Sequence, residues 1–355
     1  MTEIAVWAFE NRRANISDTR IVSETAGPTP EGSLVFRVDR FAITANVATY
    51  ARLGEELAYW SIFPGAAEWG RTPAWGHATV IASGIDGVVN GARYFGLWPM
   101  ASHVALEARP SRLGLKATAA HRSKVNPVYN QYRAEAGSDA GRDWMTAVFH
   151  PLFITSFVLG EMVSDGDAPQ SDAVLIVSAS SKTALGLAWS LTGKRTVVGL
   201  TSARNRDFVA GTGLYDEVLT YEGADRLDRG RRWDVVDFSS NPKVLADLVS
   251  HLGDRLVRLT GVGFTHDAGR PADITGYKVF FAPAVIETLV ARWGAAEFDG
   301  RLGTALAAFS DACGGWFEPR FLDGPEEISN GFRCVLGGSV PANEVLIGRP
   351  SDPRP

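Results

Sequence analysis

The feature that most constrains the fold of this chain is the alternation of apolar strands and helices between residues 168 and 265. Short, almost wholly apolar runs such as AVLIV at 173–177 and TVVGL at 196–200 alternate with helical stretches such as PKVLADLVSHLG at 242–253. Strands that are apolar on both faces and are joined by helices are typical of a parallel sheet covered on both sides. The sequence therefore predicts an α/β fold with a Rossmann-type, doubly wound parallel sheet.

The remaining sequence predicts a second, mostly β domain. The run SLVFRVDRFAI at 33–43 alternates apolar and polar side chains, which indicates a half-buried strand, and short strand-like runs follow it. The tract 117–143 has little periodicity of either kind, and we interpret it as a lid or connection. Strand-like runs return near the C-terminus and need a sheet to join. We therefore predict a β-rich substrate domain made of 1–149 and 283–355, with the nucleotide-binding domain inserted at 150–282.

Size and charge restrict the function. A chain of 355 residues is comfortable for two domains, because single hydrophobic cores stop growing at roughly 250–300 residues. The net charge of −5 argues against nucleic acid, whose partners need a clustered basic surface. The start of the chain has no leader pattern, and no stretch approaches the roughly 18 uncharged apolar residues of a membrane span. We expect a cytoplasmic protein with a small-molecule substrate and neither a membrane nor a nucleic-acid partner.

The sharpest local motif is a strand, a turn of small residues and a helix, AVLIVSASSKTALGLA at 173–188. Such a turn places backbone N–H groups and a helix N-terminus at the carboxyl edge of the sheet, where they suit a pyrophosphate. Ser178 and Ser180 stand where the glycines of a G-x-G-x-x-G pattern usually permit a tight turn. Ser181 or Thr183 can cap the helix. The motif is compatible with a dinucleotide site and also with an ordinary turn of a doubly wound fold.

The end of the next strand distinguishes the two nicotinamide cofactors. An NAD site usually has an acidic residue there for the ribose 2′-hydroxyl, whereas an NADP site has small polar and cationic groups for the 2′-phosphate. Here the strand is followed by Ser202, Arg204 and Arg206, with no carboxylate at its end. Two guanidiniums and a serine suit a doubly charged phosphate. We predict NADP(H); the alternative is a solvated helix start whose arginines face water.

The order of elements resembles the medium-chain dehydrogenase/reductase (MDR) superfamily over most of the chain. FRVDRFAITANVATYARLG at 36–54 resembles an early strand and helix of that family. GARYFG at 91–96 resembles its G-D-R-V-x-G strand, with the aspartate replaced by Ala92. DVVDFSSN at 234–241 and RLVRLTGVG at 255–263 resemble later strands near the cofactor. By this resemblance the chain is identified as a divergent member of the zinc-free quinone oxidoreductase and enoyl reductase branch.

The resemblance implies a GroES-like fold for the β-rich domain and a dinucleotide site in the other domain. It implies that Asn46 and Tyr50 lie near the nicotinamide, where Tyr50 donates a proton or hydrogen bond and Asn46 orients the substrate or ribose. It also implies a homodimer formed through an edge strand near 255–282. The predicted cofactor-binding residues are Ser178, Ser180, Ser181, Lys182, Thr183, Ser202, Arg204, Arg206, Ser239 and Gly261.

Zinc catalysis is not expected from the cysteine positions. Zinc-dependent members of the superfamily need cysteine and histidine ligands in their first domain, whereas the two cysteines of this chain are Cys313 and Cys334. These two lack the close spacing of a structural zinc site, and we interpret them as reduced. We therefore predict no metal site.

Several histidines and aromatic residues are weaker candidates for the site. A lone histidine is more often a packed or surface residue than a catalyst, which applies to His77, His103, His121 and His150. We interpret Lys124, Tyr129 and Tyr132 as lid residues. The tryptophans interpreted as core and cleft lining are Trp60, Trp69, Trp75 and Trp98.

Two functions are compatible with these observations. The first is an NADPH-dependent, zinc-independent reductase that transfers hydride to an activated alkene, such as an enone or enoyl group, or to a carbonyl or quinone of a small organic substrate. The second is a non-catalytic or non-reductive ligand-binding or accessory protein of MDR-like fold with a degenerate phosphate loop. The backbone at Ser178 and Ser180 separates them, because a phosphate can approach only if the serines still form a tight turn.

Overall fold

The computed structural model describes residues 4–26, 29–135, 137, 142–165, 170–263, 274, 276–280 and 282–350. The chain divides into two units. The first unit comprises Met1–Val148 and Glu318–Pro355, and the second comprises Phe149–Phe317. Each has its own hydrophobic core and its own sheets.

The first unit begins with a series of strands and one helix. In chain order they are β1 (Ile4–Arg12), β2 (Asn15–Ala26), β3 (Ser33–Ile43), α1 (Ala45–Arg52), β4 (Trp69–Gly70), β5 (Pro73–Ser83), β6 (Arg93–Pro99), β7 (His103–Ser111), β8 (Gly114–Ala117) and β9 (Gln131–Glu135). Strands β2, β1 and β4 form a small sheet, and the others belong to a larger one in which β3 pairs with both β5 and β7. This part of the chain is mostly β, as predicted.

Helix α2 (Asp143–Ser164) begins in the first unit and continues in the second. The second unit then alternates strands and helices: β10 (Ala173–Val177), α3 (Lys182–Leu191), β11 (Thr196–Thr201), α4 (Arg206–Gly211), β12 (Glu217–Thr220), β13 (Trp233–Asp237), α5 (Pro242–Leu252), β14 (Leu256–Gly261), β15 (Tyr277–Val279), α6 (Ala282–Trp293) and α7 (Ala295–Cys313). Between β10 and its neighbours β11 and β13 the pairing is parallel.

The sheet of the second unit has the strand order β12-β11-β10-β13-β14-β15. Numbered along the sequence, this is the 3-2-1-4-5-6 order of a doubly wound Rossmann-type sheet. All five residues of β10 are buried, because helices cover a parallel sheet on both faces. The predicted parallel α/β sheet is therefore confirmed. Its topological switch point, where ligands bind in such folds, lies between β10 and β13.

The chain ends in the first unit with β16 (Glu318–Asp323), α8 (Gly324–Leu336) and β17 (Glu344–Arg349). β17 pairs antiparallel with β3, with Leu346 opposite Ile43. Helix α8 buries Ile328 and Phe332 in the core of this unit, and the Phe332 ring centroid lies 5.0 Å from that of Phe9. The C-terminal strand thus completes the larger sheet of the first unit.

The predicted domain boundary near residue 283 differs from the structure, in which the chain returns to the first unit only at Glu318. Helices α6 and α7 belong to the second unit because their aromatic residues pack there. The Phe309 ring stacks on Phe153 with centroids 4.8 Å apart, and it meets the edge of Trp189 at 5.7 Å. The helical pattern of this segment was visible in the sequence, whereas its packing partner was not.

Helix α2 corrects the expectation that no stretch approaches a membrane span. By length and composition it could cross a membrane, with a mean hydropathy of 1.4 over its most apolar window. However, 61% of that window is buried within the protein. The core helix of a soluble protein passes the same test, and buried residues such as Val158 and Leu159 agree with that role.

The interpretation of 117–143 as a lid is wrong for Tyr132. This residue lies on β9 and is fully buried, and its hydroxyl donates to the Leu97 carbonyl at 3.0 Å. Gly96 provides the space for its ring, because a Cβ there would overlap the Tyr132 side chain. The tract contains a strand of five residues, although its sequence shows no alternation of apolar and polar side chains.

Candidate functional site

The turn after β10 is tight although it lacks glycine. Ser178 has a left-handed backbone with φ of 62°, a conformation that costs an L-residue roughly 1–2 kcal/mol. The Ser181 N–H donates to the Ser178 carbonyl at 2.9 Å and closes the turn. The Ala179 N–H donates to Leu200 of β11 at 3.0 Å. Ser178 therefore takes the conformation that a glycine usually supplies at this position.

Tyr215, in the loop before β12, holds the turn. Its hydroxyl donates to the Ala179 carbonyl at 2.8 Å, and burial raises its pKa, which keeps it a donor. Its ring lies against Gly199 of β11, where a Cβ would be 2.9 Å from the ring. The glycine inside this apolar strand therefore makes room for the residue that fixes the turn.

Asn205 and Tyr221 hold the two serines of the turn. The Asn205 amide donates to the Ser180 hydroxyl at 2.9 Å, which links the end of β11 to the turn. Burial raises the pKa of Tyr221, and hydrogen bonds with Ser178 lower it in part. The side chains of both serines are thus directed to protein partners.

The N-terminus of α3 presents backbone donors. Ser181 is the cap, and its hydroxyl accepts from the Ala184 N–H at 3.2 Å. Within the part of the chain that the structure describes, the N–H groups of Ser180 and Thr183 have no protein acceptor. Unpaired N–H groups at the positive end of a helix are suited to a phosphate.

Two other residues of the motif make packing contacts. The Lys182 ammonium lies 5.2 Å from the centre of the Phe317 ring. Gly186 faces helix α2, and a Cβ there would lie 2.8 Å from Ser156 Cβ. Gly186 therefore permits close packing of α2 and α3.

The end of β11 carries the polar residues predicted for a 2′-phosphate. Ser202 is half-buried, and Arg204 and Arg206 are exposed. Arg206 also pairs with Asp207 at 3.3 Å, so its charge is partly compensated. Both exposed arginines stay candidates for contact with a 2′-phosphate.

Ser239 and Gly261 have local roles at the ends of β13 and β14. The Ser239 N–H and hydroxyl donate to one oxygen of Asp237, at 2.8 and 2.6 Å. Burial raises the pKa of Asp237, and these hydrogen bonds lower it in part. A Cβ on Gly261 would overlap the Tyr277 hydroxyl. Both residues shape the loops, and a direct cofactor contact from either stays a prediction.

In the first unit, Tyr50 of α1 belongs to a cluster of aromatic residues. It is buried, and its hydroxyl accepts from the Trp75 indole at 2.9 Å. The Tyr59 ring centroid lies 4.5 Å from that of Tyr50, and the Tyr59 and Tyr129 hydroxyls are 3.1 Å apart. The structure thus brings Tyr50, Trp75 and Tyr129, three residues singled out in the sequence, into one aromatic cluster with Tyr59.

Tyr50 is placed to donate a hydrogen bond. Burial raises its pKa well above the ordinary value, Tyr129 raises it further, and hydrogen bonds with Trp75 and Asn46 lower it in part. The phenol is therefore neutral at neutral pH. Because Trp75 and Asn46 both supply hydrogens to the phenol oxygen, the hydrogen of Tyr50 is left for another acceptor.

The histidines serve different purposes. His77 is fully buried, and its ring nitrogens lie 2.8 Å from Glu135 and 2.9 Å from the Asp143 carbonyl. Such a histidine is structural. His103 and His121 line a cavity that is described below. Among the tryptophans, Trp98 is a core residue with no exposed surface, as predicted.

No metal centre is present among the residues that the structure describes. No group of three or more His, Cys, Asp or Glu side chains there is arranged to hold a metal ion. Cys313 is a buried free thiol and Cys334 is partly buried.

Four residues of these sites were missed in the sequence. They are Tyr59, Asn205, Tyr215 and Tyr221. Gly199 inside an apolar strand was the signal that a large side chain packs on β11. For the other three no local pattern marks the contact, since each partner is distant along the chain.

A comparison with known families fits this geometry. The sequence profile of the family described as "Protein of unknown function (DUF2855)" matches residues 41–341. The chain belongs to the DUF2855 family. No functionally curated protein matches this DUF2855 chain in sequence.

Solved structures resemble the DUF2855 chain over almost its whole length. CurA from Vibrio vulnificus in complex with NADPH has a TM-score of 0.64 at 12% identity, covering 98% of this chain and 100% of that one. The CurK enoyl reductase has a TM-score of 0.57 at 12% identity, with 98% and 99% covered. Etr1p in complex with NADP and crotonyl-CoA has a TM-score of 0.58 at 7% identity, with 98% and 100% covered. The likeness confirms the predicted mixed α/β fold, which this chain shares with these proteins.

Proposed function

We propose that this DUF2855 protein is an NADP(H)-dependent, zinc-independent reductase of the MDR type, whose first unit serves as the GroES-like substrate domain. The observation that carries the proposal is the turn after β10. Ser178 has the left-handed backbone of a glycine, so the turn remains tight and the backbone N–H groups of the next helix remain available. The complexes of CurA with NADPH and of Etr1p with NADP support the same cofactor.

The residues of the second unit fit this cofactor. The N–H groups of Ser180 and Thr183 would hold the pyrophosphate at the N-terminus of α3. Ser202 and Arg204 at the end of β11 would hold the 2′-phosphate, where an NAD site would have an acidic residue. Tyr215 would keep the turn in place during binding, because its hydroxyl holds the Ala179 carbonyl.

The first unit supplies the group that assists reduction. NADPH, when bound, supplies a hydride. Reduction of an enone or carbonyl places negative charge on the substrate oxygen, and a positioned hydrogen-bond donor stabilises that charge. We propose that Tyr50 donates to this oxygen while Trp75 and Asn46 hold its phenol oxygen. The raised pKa of Tyr50 suits a donor at neutral pH and does not suit a base.

Three further expectations belong to the proposal. The substrate is a small, partly apolar organic compound with an activated alkene, carbonyl or quinone, and the protein acts in the cytoplasm. The protein forms a homodimer through the edge of the parallel sheet near 255–282. Residues 264–273, 275 and 281 of that edge lie outside the described residues.

The cofactor is tested by titrating the purified protein with NADPH and NADH by calorimetry. We expect NADPH to bind more tightly than NADH. Arg204→Ala should weaken NADPH binding about tenfold, since an exposed charge-assisted hydrogen bond is worth about 1.5 kcal/mol. NADH binding should not change in this variant, because NADH lacks the 2′-phosphate. Lys243→Ala is the matched control, an exposed cation on α5 paired with Asp247.

Binding of neither nucleotide would contradict the reductase and favour the ligand-binding alternative. Equal weakening of NADPH and NADH by Arg204→Ala would contradict the assignment of the 2′-phosphate. Once NADPH binding is established, the role of Tyr50 is tested by measuring NADPH oxidation by a panel of enones and quinones in Tyr50→Phe. This variant should lower kcat at least tenfold and leave NADPH affinity unchanged.

A further inference from the structure

A cavity of about 440 Å³ lies within the first unit. Strands β1 and β7, the segment at 62–64 and the short 3-10 helix Ala120–Arg122 contribute to its wall. The wall is mainly apolar, with Val6, Phe63 and Leu106 among its residues. The volume lies within the range of about 300–1,000 Å³ that is usual for small-molecule sites. No residue proposed for NADP(H) or for the reacting carbonyl lines it.

Arg122 is the most buried charge of this wall, which Arg71 also lines. Its side chain is 3% exposed, and its guanidinium lies 4.6 Å from the centre of the Phe63 ring. Its Nη1 donates to the Asn130 amide oxygen at 3.3 Å, and a hydrogen bond with the Tyr132 phenol partly offsets the burial that raises the pKa of Tyr132. Within the described ranges, Nε and Nη2 have no hydrogen-bond partner. A guanidinium has five N–H donors, so most of its hydrogen-bonding capacity is unused.

Other buried arginines of the same unit have counter-charges. Arg93, which is 11% exposed, lies 2.6 Å from Asp143, and Arg71, which is 19% exposed, lies 3.0 Å from Glu10. Arg122 is more buried than either, and no described carboxylate forms an ion pair with it. A buried charge without a partner is costly. Arg122 in the cavity wall therefore lacks the carboxylate partner that Arg93 and Arg71 have.

The neighbouring charges favour a single negative charge on the missing anion. Burial lowers the pKa of His103, and Arg37 lowers it further; burial also lowers the pKa of His121, with Arg122 adding to the effect. Both histidines are therefore neutral at neutral pH and can act as hydrogen-bond partners without adding charge. The acidic residues Glu24 and Glu107 also line the cavity and oppose a doubly charged ligand.

We propose that this cavity is a binding site for a small carboxylic acid with an apolar body, whose carboxylate pairs with Arg122. The apolar wall contacts the hydrocarbon part of the ligand, and the carboxylate supplies the counter-charge that Arg122 lacks. This site does not depend on the proposed reductase activity. It is the place where a carboxylate metabolite would bind as a second ligand.

The proposal is tested by calorimetric titration of the full-length protein with sodium hexanoate, hexan-1-ol and inorganic phosphate. We expect saturable binding of hexanoate and at least tenfold weaker binding of the alcohol and of phosphate. Arg122→Met removes the cation and should weaken hexanoate at least tenfold. Ala105→Trp places a large side chain at an exposed position of the cavity wall and should have the same effect. Arg109→Met, an exposed cation on β7, is the matched control and should bind hexanoate normally.

Circular dichroism and thermal unfolding establish that each variant is folded before titration. If Arg122→Met does not fold, Ala105→Trp still tests the cavity. Absence of saturable hexanoate binding to the unchanged protein would overturn the proposal. Equal hexanoate affinity in Arg122→Met, or tighter binding of phosphate than of hexanoate, would also overturn it.

Discussion

The turn after β10 and the cavity beside Arg122 differ in how their polar groups are hydrogen-bonded. In the turn, neutral partners satisfy the strained segment: Tyr215 binds the Ala179 carbonyl and Asn205 binds the Ser180 hydroxyl. The cations nearby are exposed to water. At the cavity, a guanidinium that is 3% exposed has no carboxylate partner among the described residues. The groups without a protein partner are backbone N–H groups at a half-buried helix start in the first case and a buried charge in the second.

This difference determines how a ligand affects each unit. Anything that binds the folded state and not the unfolded state stabilises the protein by mass action. At the turn, a phosphate would add hydrogen bonds to groups that water already solvates. At the cavity, an anion would also remove the cost of an unpaired buried charge. We therefore expect the electrostatics of the cavity to be linked more strongly to stability than those of the turn.

The largest predicted effect is the difference in stability between replacing Arg93, which has carboxylate partners, and replacing Arg122, which has none among the described residues. Arg93→Met leaves Asp143, Asp39 and Glu135 without their shared cation, and it should lower the free energy of unfolding by about 3–5 kcal/mol. Arg122→Met removes a buried charge without leaving a carboxylate unpaired, and should raise the free energy of unfolding by about 1 kcal/mol. Urea unfolding followed by circular dichroism measures both. Destabilisation of similar size in the two variants would mean that Arg122 has a counter-charge, and the contrast would be lost.

A smaller effect tests the strained turn. Ser178→Val should lower the free energy of unfolding by about 2 kcal/mol, because a β-branched residue is strongly disfavoured at a φ of 62°. Ser178→Gly is the matched control: it relieves the backbone strain and loses the hydrogen bond with Tyr221, so its stability should change by less than about 1 kcal/mol. NADPH affinity should fall in the valine variant and persist in the glycine variant. Equal destabilisation by both would show that the hydroxyl, and not the backbone, is what the turn requires.

The same two regions show what could be predicted from the sequence. The parallel sheet was predictable because its strands are short, apolar and separated by helices, a pattern that each strand and helix carries locally. The turn after β10 could be located in the sequence because its residues are contiguous. The left-handed backbone of Ser178 was not predictable, since serine rarely adopts it, and it depends on Tyr215 and Tyr221 from distant segments.

The cavity could not be predicted at all. Arg122 lies in a tract without periodicity that we interpreted as a lid, and Tyr132 of the same tract is a core residue. The cavity wall also uses β1 and β7, which are distant from Arg122 along the chain. His103 was visible only as one of several histidines. A site assembled from separate strands leaves no motif of fixed residue spacing in the sequence.

The smallest predicted effect concerns acid, to which His103 of the cavity wall and Asp237 at the end of β13 respond in opposite directions. Burial and Arg37 lower the pKa of His103 in the folded protein, whereas the unfolded residue titrates near about 6.5. Below that pH the unfolded state binds a proton that the folded state does not, so this contribution to stability is lost as the pH falls. Burial raises the pKa of Asp237, so the folded state binds a proton first and gains stability as the pH falls.

Urea unfolding between pH 7 and pH 5 measures the two contributions. In His103→Gln the free energy of unfolding should fall with acid less steeply than in the unchanged protein, by less than about 1 kcal/mol per pH unit. Arg37→Met should flatten the slope in the same direction, because Arg37 is one cause of the lowered pKa. In Asp237→Asn the fall should be steeper, since the compensating proton uptake is gone. A steeper fall in His103→Gln would mean that His103 is charged in the folded protein. The cavity wall would then carry a further cation beside Arg71 and Arg122, and it would suit a dianion better than a carboxylate.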